Sequence, residues 1–303
     1  MGITASILHD VQRQIAPSDE TLDAVRNRRD EVLGIVEPYP GALRTYASGS
    51  IAHRTANDDT DADGGVVLDR RYYPEFGPDG DGEGPADVDL IMALTQNDGA
   101  LWIPNLERPG WDPSDPECHT RLMTAEPATL RRTRAKIVRL AKAWNKQYAQ
   151  PGLCAFNITA LALACITEGM GVATGLAAFF TYAAKDLKQR LTPDPAGVSP
   201  PIKLLIDRNV VVSRLDQASK CMEEAFGHED DETAVREALS KLYWKYVQPP
   251  AGSTSKVAFA NILRGGNAGV GISHGLAIGT TNTVPLKTTR AFGSGHAKEP
   301  SAQ

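Results

Sequence analysis

A glycine-serine pair stands a short distance ahead of two acidic residues in the segment GSIAHRTANDDTDADGGVV. Gly49 and Ser50 follow LRTYAS, which is typical of a strand end, and the residues after them can begin a short helix whose free N–H groups face a phosphate. Asp61 and Asp63 are separated by one residue, so on a strand both carboxylates point to one face, about 7 Å apart. Mg²⁺ prefers carboxylate and phosphate oxygens. The spacing therefore predicts a site for a metal-bound nucleoside triphosphate.

The same acidic stretch has a second interpretation. Asp and Gly are turn formers, and an Asp-x-Asp pattern alone favours a solvated turn because it is common by chance. The Gly-Ser pair ahead of it and the apolar run Val66–Leu68 behind it favour the metal-triphosphate site instead.

Length, composition and charge exclude several classes of protein. The chain has 303 residues, 42% of them hydrophobic and 23% charged, which is ordinary for one large or two modest globular domains. Its net charge of −5 argues against a nucleic-acid coat protein, which needs a broadly basic surface. The cysteines lack Cys-x-x-Cys spacing, and the sequence shows neither a signal-peptide core nor an apolar run of membrane-spanning length. We expect a reduced, cytoplasmic protein with no membrane partner.

The N-terminal half predicts helices followed by strands. Apolar residues recur at helical spacing over residues 3 to 36, with a break at Pro17, which predicts two helices. After Leu68 a stretch rich in Gly, Pro and Asp indicates a loop, and DVDLIMALTQ indicates a strand. From Trp102 to Pro116 we expect a second loop, whose tryptophans Trp102 and Trp111 pack down on the protein.

The C-terminal half predicts helices only. Residues 129–148 predict an amphipathic helix whose basic face is either solvated or directed in part at the triphosphate. Residues 155–167 are apolar on nearly all sides, which indicates a central buried helix. Further helices are predicted over residues 176–191, 209–226 and 231–246. We expect a cleft between this half and the mixed half.

Several motifs occur together in one order: GSIAHRTA, TDADGGVVLDRR, VDLIMAL, LWIPNLERPGWDPSDP, RLAKAWNKQY and TPDPAG. With them the chain resembles the bacterial cGAS/DncV-like nucleotidyltransferases, or CD-NTases, over about residues 3 to 250. The resemblance implies an α+β fold, with a polymerase-β-like nucleotidyltransferase core containing a mixed sheet and an all-helical domain like that of oligoadenylate synthases. We expect the core at residues 1–128, the helical domain at 129–250 and a flexible Gly/Ser-rich tail at 251–303.

The resemblance also implies site residues. Family members hold the triphosphate with the Gly-Ser turn and a lysine, and they bind two Mg²⁺ ions, with Mn²⁺ as the alternative, through three carboxylates. Asp87 is the alternative to Asp89 as third carboxylate, because both point to one face of an extended strand. Thr55 matches a threonine for which we expect a structural role. The matching residues are Gly49, Ser50 and Lys142 for the triphosphate, and Asp61, Asp63 and Asp89 for the metal and for catalysis.

Three positions depart from the family pattern. Arg54 stands where relatives have glycine, and Ala155 stands where they have a serine that contacts phosphate. The segment between Asp63 and Asp89 is shorter than in relatives, which generally have a further helix and strand there. Fold and catalysis are therefore separate expectations for this chain.

Three functions follow as hypotheses. The first is synthesis of cyclic or linear oligonucleotide second messengers from ATP or other NTPs with release of pyrophosphate, in CBASS-type antiphage defence, where the product activates an effector protein. The second is nucleotidyl transfer to an RNA, protein or small-molecule acceptor. The third is a degenerate nucleotide-binding scaffold. The resemblance also implies that a ubiquitin-activating-like ligase acts on the tail. The alternative is that the tail is a disordered end without a role.

Overall fold

The computed structural model describes residues 2–76, 90–96, 99–105, 109–125 and 127–251. The predicted tail, apart from Ala251, lies outside these ranges. In chain order, the elements are α1 (Ile3–Ile15), α2 (Asp19–Val36), β1 (Ala42–Ser48), α3 (Gly49–Ala52), β2 (Asp63–Leu68), β3 (Leu90–Thr95), β4 (Leu101–Pro104), β5 (Trp111–Ser114), α4 (Pro116–Thr124), α5 (Ala128–Lys146), α6 (Ala155–Cys165), α7 (Val172–Gln189), α8 (Arg208–Gly227) and α9 (Glu232–Leu242).

The strands of the described residues form one mixed sheet in the order β1-β2-β3-β4-β5. The pair β2–β3 is parallel, whereas β1–β2, β3–β4 and β4–β5 are antiparallel. Both faces of the sheet are covered, because Val66 and Val67 are both buried although they point to opposite sides. The mixed sheet predicted from the family resemblance is confirmed.

The expectation of a loop from Trp102 to Pro116 is wrong. This segment contains β4 and β5, which pair as a hairpin with Trp102 opposite Pro113. Two prolines concealed the strands, because proline cannot donate to a sheet ladder and is tolerated mainly at edges. Pro113 lies on β5, which is an edge of the described sheet. Pro104 lies at the end of β4, beyond the residues of β4 that pair with β3. Trp102 and Trp111 do pack against the apolar cluster of the sheet, as expected.

The two N-terminal helices are confirmed, and they pack on different parts of the protein. Helix α2 begins after Ser18, whose hydroxyl accepts the N–H of Thr21 as an N-cap. It lies against β1 and β2, whereas α1 buries Ile7, Leu8 and other side chains in the core of the helical half. The first element of the chain is therefore part of the core that the last elements build. The domain boundary at residue 128 stays a prediction.

Helix α1 and helices α5 to α9 form the large apolar core. Helix α6 is buried over Asn157 to Ala162, as predicted, but both of its ends reach the surface at Ala155 and Ala164. It packs on α5 and α7, and the more central helix is α7, which contacts α1, α5, α6 and α8.

Helix α7 begins at Val172, earlier than expected, and α9 ends at Leu242 rather than at Tyr246. Between residues 127 and 251 the chain forms no strand, and Thr192 and Ile202 make only an isolated bridge. None of the helices that the structure describes is both long enough and apolar enough to cross a lipid bilayer.

Candidate active site

The Gly-Ser turn lies directly against one of the two predicted metal ligands. Ser48, the last residue of β1, is paired with Asp63, the first residue of β2. Gly49 has a φ of 67°, in the left-handed region that favours glycine, and a Cβ at this position would overlap the carboxylate of Asp63. The close approach of Asp63 therefore requires glycine here, and the structure brings the turn and this acid together as predicted.

Asp61 is placed differently from the prediction. Asp63 opens β2, but Asp61 precedes the strand in an irregular and exposed stretch. The reason lies in the partner strand: β1 ends at Ser48 and the chain turns into α3, so the ladder stops at Asp63. The expectation that both carboxylates lie on one strand is right for Asp63 and wrong for Asp61.

Ser50 is tied to the segment that carries Asp61. Its hydroxyl oxygen lies 2.5 Å from Oγ1 of Thr60, and Thr60 Oγ1 also donates to the carbonyl oxygen of Asp61 at 3.3 Å. The N–H of Thr55 donates to the carbonyl oxygen of Ser50 at 2.8 Å. Hydrogen bonds thus fold the chain from Ser50 to Asp61 back onto the Gly-Ser turn.

Lys142 brings a buried cation from α5 to the same place. Its ammonium donates to the carbonyl oxygen and to Oγ1 of Thr55, both at 3.2 Å, and the residue is 7% exposed. Burial, followed by the charge of Lys146, lowers the pKa of Lys142, whereas the charges of Asp63, Asp59 and Asp61 raise it, and the net pKa is about 8. The negative charges of these three residues therefore act on one buried ammonium. Thr55 is fully buried and holds that ammonium, in line with the expected structural role.

The basic face of α5 is divided. Arg132, Lys136 and Lys146 are exposed, so the solvated interpretation is correct for them. It is wrong for Arg134 and Lys142, which are both buried. The family resemblance singled out Lys142, but the helical spacing does not separate Arg134 and Lys142 from the exposed residues. The distinction depends on which neighbouring elements cover each turn of the helix. Lys146 pairs with Asp59 at 2.6 Å on the surface beside the site.

Arg54 shows why a glycine is expected at its position. It has a φ of 59°. Among the described residues, every other one with a left-handed backbone is a glycine. Its side chain is exposed. A left-handed L-residue costs about 1–2 kcal/mol. The departure from the family pattern therefore leaves the backbone of the turn in place but under strain.

The sequence patterns did not indicate two side-chain hydrogen bonds behind the turn. His53, which caps α3, lies 3.0 Å from Oγ1 of Thr120 through its Nε2. Burial, followed by the charges of Lys142 and His119, lowers the pKa of His53 to about 4, so this imidazole is neutral near pH 7. No short spacing in the sequence links these residues.

A second side-chain contact joins α4 to the helical half. His119 Nε2 lies 2.6 Å from Oδ1 of Asp194, and the carboxylate of Asp194 also accepts the N–H groups of Ala196, Val198 and Ser199. Burial raises the pKa of Asp194, but the N–H groups of Ser199 and Ala196 and the pairing with His119 outweigh it, so the pKa is lowered. Two consecutive residues of α4 therefore make side-chain contacts in different directions: Thr120 to the end of α3, and His119 to the loop after α7.

No protein-family model matches the chain, and no curated protein matches it by sequence. Solved structures do match. The structure of E. coli MS115-1 CdnC with ATP matches at a TM-score of 0.60 and 17% identity, and the match covers 82% of this chain and 99% of CdnC. The chain has the CD-NTase fold. The CD-NTase CdnG of Bradyrhizobium diazoefficiens with GTP matches at a TM-score of 0.57 and 13% identity, covering 79% and 95% of the two chains.

A third CD-NTase fold of this kind extends the likeness. Vibrio cholerae DncV, a cyclic AMP-GMP synthase in complex with the linear intermediate 5′ pppA(3′,5′)pG, matches at a TM-score of 0.51 and 12% identity, covering 81% of this chain and 87% of DncV. The predicted resemblance and the α+β fold class are confirmed at the level of fold.

Of the three predicted metal ligands, the structure describes Asp61 and Asp63. Asp89 and its alternative Asp87 lie outside the described residues, and within those residues no group of three His, Cys, Asp or Glu side chains is arranged to hold a metal. The carboxylates of Asp61 and Asp63 are hard oxygen donors, and their negative charge acts on the buried ammonium of Lys142. These two residues fit Mg²⁺ that is also bound by phosphate oxygens.

Proposed function

We propose that this protein is a nucleotidyltransferase that joins ATP or other NTPs into cyclic or linear oligonucleotide second messengers and releases pyrophosphate. The observation that carries the proposal is the close approach of the left-handed Gly49 turn to the carboxylate of Asp63, whose charge acts on the buried ammonium of Lys142. That ammonium is bound to Thr55, whose N–H donates to the carbonyl oxygen of Ser50. A turn with free N–H groups, acidic residues and a fixed cation together suit a metal-bound triphosphate. The CD-NTase fold supports the same choice.

Each residue then has a separate role. Gly49 and Ser50 bind phosphate oxygens through N–H and hydroxyl groups, and Lys142 offsets the negative charge of the triphosphate. Asp61, Asp63 and Asp89 are the residues that would hold the two Mg²⁺ ions, or Mn²⁺ in their place. Once bound, the ions would stabilise negative charge at the entering and leaving oxygens of the transferred phosphate.

The reaction is an in-line displacement at the α-phosphate. A ribose hydroxyl oxygen forms a bond to the α-phosphorus and passes its proton to a carboxylate of the site, while the bond from the α-phosphorus to the bridging oxygen breaks and pyrophosphate leaves. A buried cation that is already in place stabilises the developing charge without reorganisation of solvent. A cyclic product requires at least two such steps.

The biological setting is part of the proposal. We place the enzyme in CBASS-type antiphage defence in the cytoplasm, with an effector protein that the product activates. E. coli CdnC, a structural neighbour at a TM-score of 0.55 and 17% identity in this form, has been solved in a complex with a HORMA protein, which supports assembly with partner proteins. Modification of the tail by a ubiquitin-activating-like ligase stays a prediction, since the tail lies outside the described residues.

The test uses purified protein and each labelled NTP in turn, with Mg²⁺ or Mn²⁺ and no added acceptor. We expect a labelled product, which resists phosphatase when it is cyclic and loses its terminal phosphates when it is linear, and its absence from an Asp61→Ala/Asp63→Ala control. Label incorporated only when an RNA, protein or small molecule is added would favour the acceptor-modifying hypothesis. Binding of NTP without pyrophosphate release under either metal would favour the scaffold, and product in both samples would contradict the proposed site.

A further inference from the structure

The hydroxyl of Ser50 has a defined partner inside the protein. Its oxygen lies 2.5 Å from Oγ1 of Thr60, ten residues further along the chain, and both residues are half-buried. Thr60 Oγ1 is also 3.3 Å from the carbonyl oxygen of Asp61, which is at the long limit for a hydrogen bond. Of the two contacts, the one to Ser50 is therefore the shorter and the more direct.

Asp61 needs such a connection, because no strand holds it. The β1–β2 ladder ends at the Ser48–Asp63 pair, so the regular pairing that orients Asp63 does not extend to Asp61. The residue immediately before Asp61 is Thr60, and the Ser50–Thr60 contact joins this irregular stretch to the Gly-Ser turn. The contact thus spans the two parts of the site that must act on one triphosphate.

The direction of the two hydroxyl protons follows from the ligand. Each hydroxyl donates one hydrogen bond and accepts up to two. When Ser50 donates to a phosphate oxygen, it cannot donate to Thr60, so Thr60 must donate to Ser50 and give up the long contact with Asp61. A hydroxyl that accepts a hydrogen bond is also a better donor. Thr60 therefore directs the proton of Ser50 toward the phosphate.

We propose that Thr60 is a positioning residue for the triphosphate: its hydroxyl orients that of Ser50 and ties the stretch bearing Asp61 to the Gly-Ser turn. The inference rests on the proposed function and adds a residue that acts through Ser50 rather than on the substrate itself. A purely structural Thr60 would change the stability of the protein but would act independently of Ser50.

The experiment is a double-mutant cycle on the full-length protein. Thr60→Val and Thr60→Ala remove the hydroxyl with and without the branched side chain, and Thr60→Ser keeps it. Each is made in the wild-type and Ser50→Ala backgrounds. The measurements are the dissociation constant of a non-hydrolysable ATP analogue with Mg²⁺, the KM and kcat of pyrophosphate release, and the Mg²⁺ concentration for half-maximal release. Thermal melting checks that each variant is folded.

We expect Thr60→Val and Thr60→Ala to weaken analogue binding about fivefold, the size expected for one neutral hydrogen bond, with KM affected more than kcat. Thr60→Ser should stay within about twofold of wild type. In the Ser50→Ala background the Thr60 substitutions should weaken binding no further, because the two residues act as a unit. The Mg²⁺ midpoint should rise in the hydroxyl-free variants.

Other results overturn the inference. These are an unchanged affinity in both hydroxyl-free variants, a Thr60→Ser variant as weak as Thr60→Val, or the same fivefold loss on top of Ser50→Ala. If wild type binds the analogue and Ser50→Ala weakens it while Thr60→Val does not, the role of Thr60 falls and the proposed function stands. If wild type neither binds the analogue nor releases pyrophosphate, both fall.

Discussion

Lys142 is expected to destabilise the free protein because its ammonium is buried. The proposed perturbation is Lys142→Met, which keeps an unbranched side chain of similar length and removes the charge. In the folded protein the pKa of Lys142 is about 8, against an ordinary value of 10.5. The unfolded chain therefore holds this proton more tightly. Between about pH 8 and 10.5 the folded protein has lost the proton and the unfolded chain still holds it, so the free energy of unfolding rises with pH.

The magnitude follows from the shift in pKa. Near pH 7 both states are protonated, and the cost to the folded state is about 3 kcal/mol at 1.36 kcal/mol per pKa unit. By pH 9.5 the cost has fallen to about 1 kcal/mol. The methionine variant avoids this cost but loses the hydrogen bonds to the buried oxygens of Thr55, worth about 2 kcal/mol together. We expect it to be about 1 kcal/mol more stable than wild type at pH 7 and about 1 kcal/mol less stable at pH 9.5.

The assay is urea unfolding at both pH values. The difference in unfolding free energy between variant and wild type should change by about 2 kcal/mol. Lys136→Met, on the exposed side of the same helix, serves as the control, and its stability should run parallel to that of wild type because its ammonium stays in water. A difference for Lys142→Met that is independent of pH would refute the reasoning. Lys142→Met should also bind NTP more weakly, by about tenfold or more, because the cation that offsets the phosphate charge is gone.

Three further substitutions test the turn and its surroundings. Arg54→Gly should raise the unfolding free energy by about 0.5–1 kcal/mol in urea titrations, because relief of the left-handed strain exceeds the added freedom of the unfolded chain; a loss of stability would contradict this. Gly49→Ala should displace the carboxylate of Asp63 and lower both the melting temperature and pyrophosphate release, whereas Gly34→Ala, with open space around its position in α2, should be neutral or stabilising in the same assays. Equal effects of the two alanines would contradict the turn geometry. Lys146→Ala removes an exposed ion pair, so its stability should change by less than about 0.5 kcal/mol, and a loss above 2 kcal/mol in denaturant titration would show that the pair is not a surface contact.

The helices could be predicted from the sequence because their signal is local. The apolar spacing of α1 and the uniform apolarity of α6 need no knowledge of the rest of the chain. The β4–β5 hairpin could not be predicted in the same way, because Pro104 and Pro113 are compatible with strands only when the sheet geometry places them at suitable positions. That information is in the pairing and not in either segment alone.

The candidate site shows the same division. The motif predicted that Gly49 and Asp63 act on one triphosphate, so their proximity could be expected although α3 and an irregular stretch separate them along the chain. The placement of Asp61 could not, because it depends on where β1 ends. The buried pair of His119 and Asp194 joins α4 to a loop far along the chain, and no local pattern in the sequence marks it.

The measurement that tests the central claim most directly is pyrophosphate release from NTPs with Mg²⁺ by wild type, Asp63→Asn and Asp216→Asn. Asp216 forms an exposed ion pair on the helical half and controls for the loss of a carboxylate elsewhere. We expect release by wild type and by Asp216→Asn, and a fall of about 100-fold or more in Asp63→Asn, whose side chain is a weaker ligand for Mg²⁺ beside the Gly-Ser turn. Equal release by all three proteins, or none from wild type, would contradict the assignment of this turn and its acidic residues as the active site.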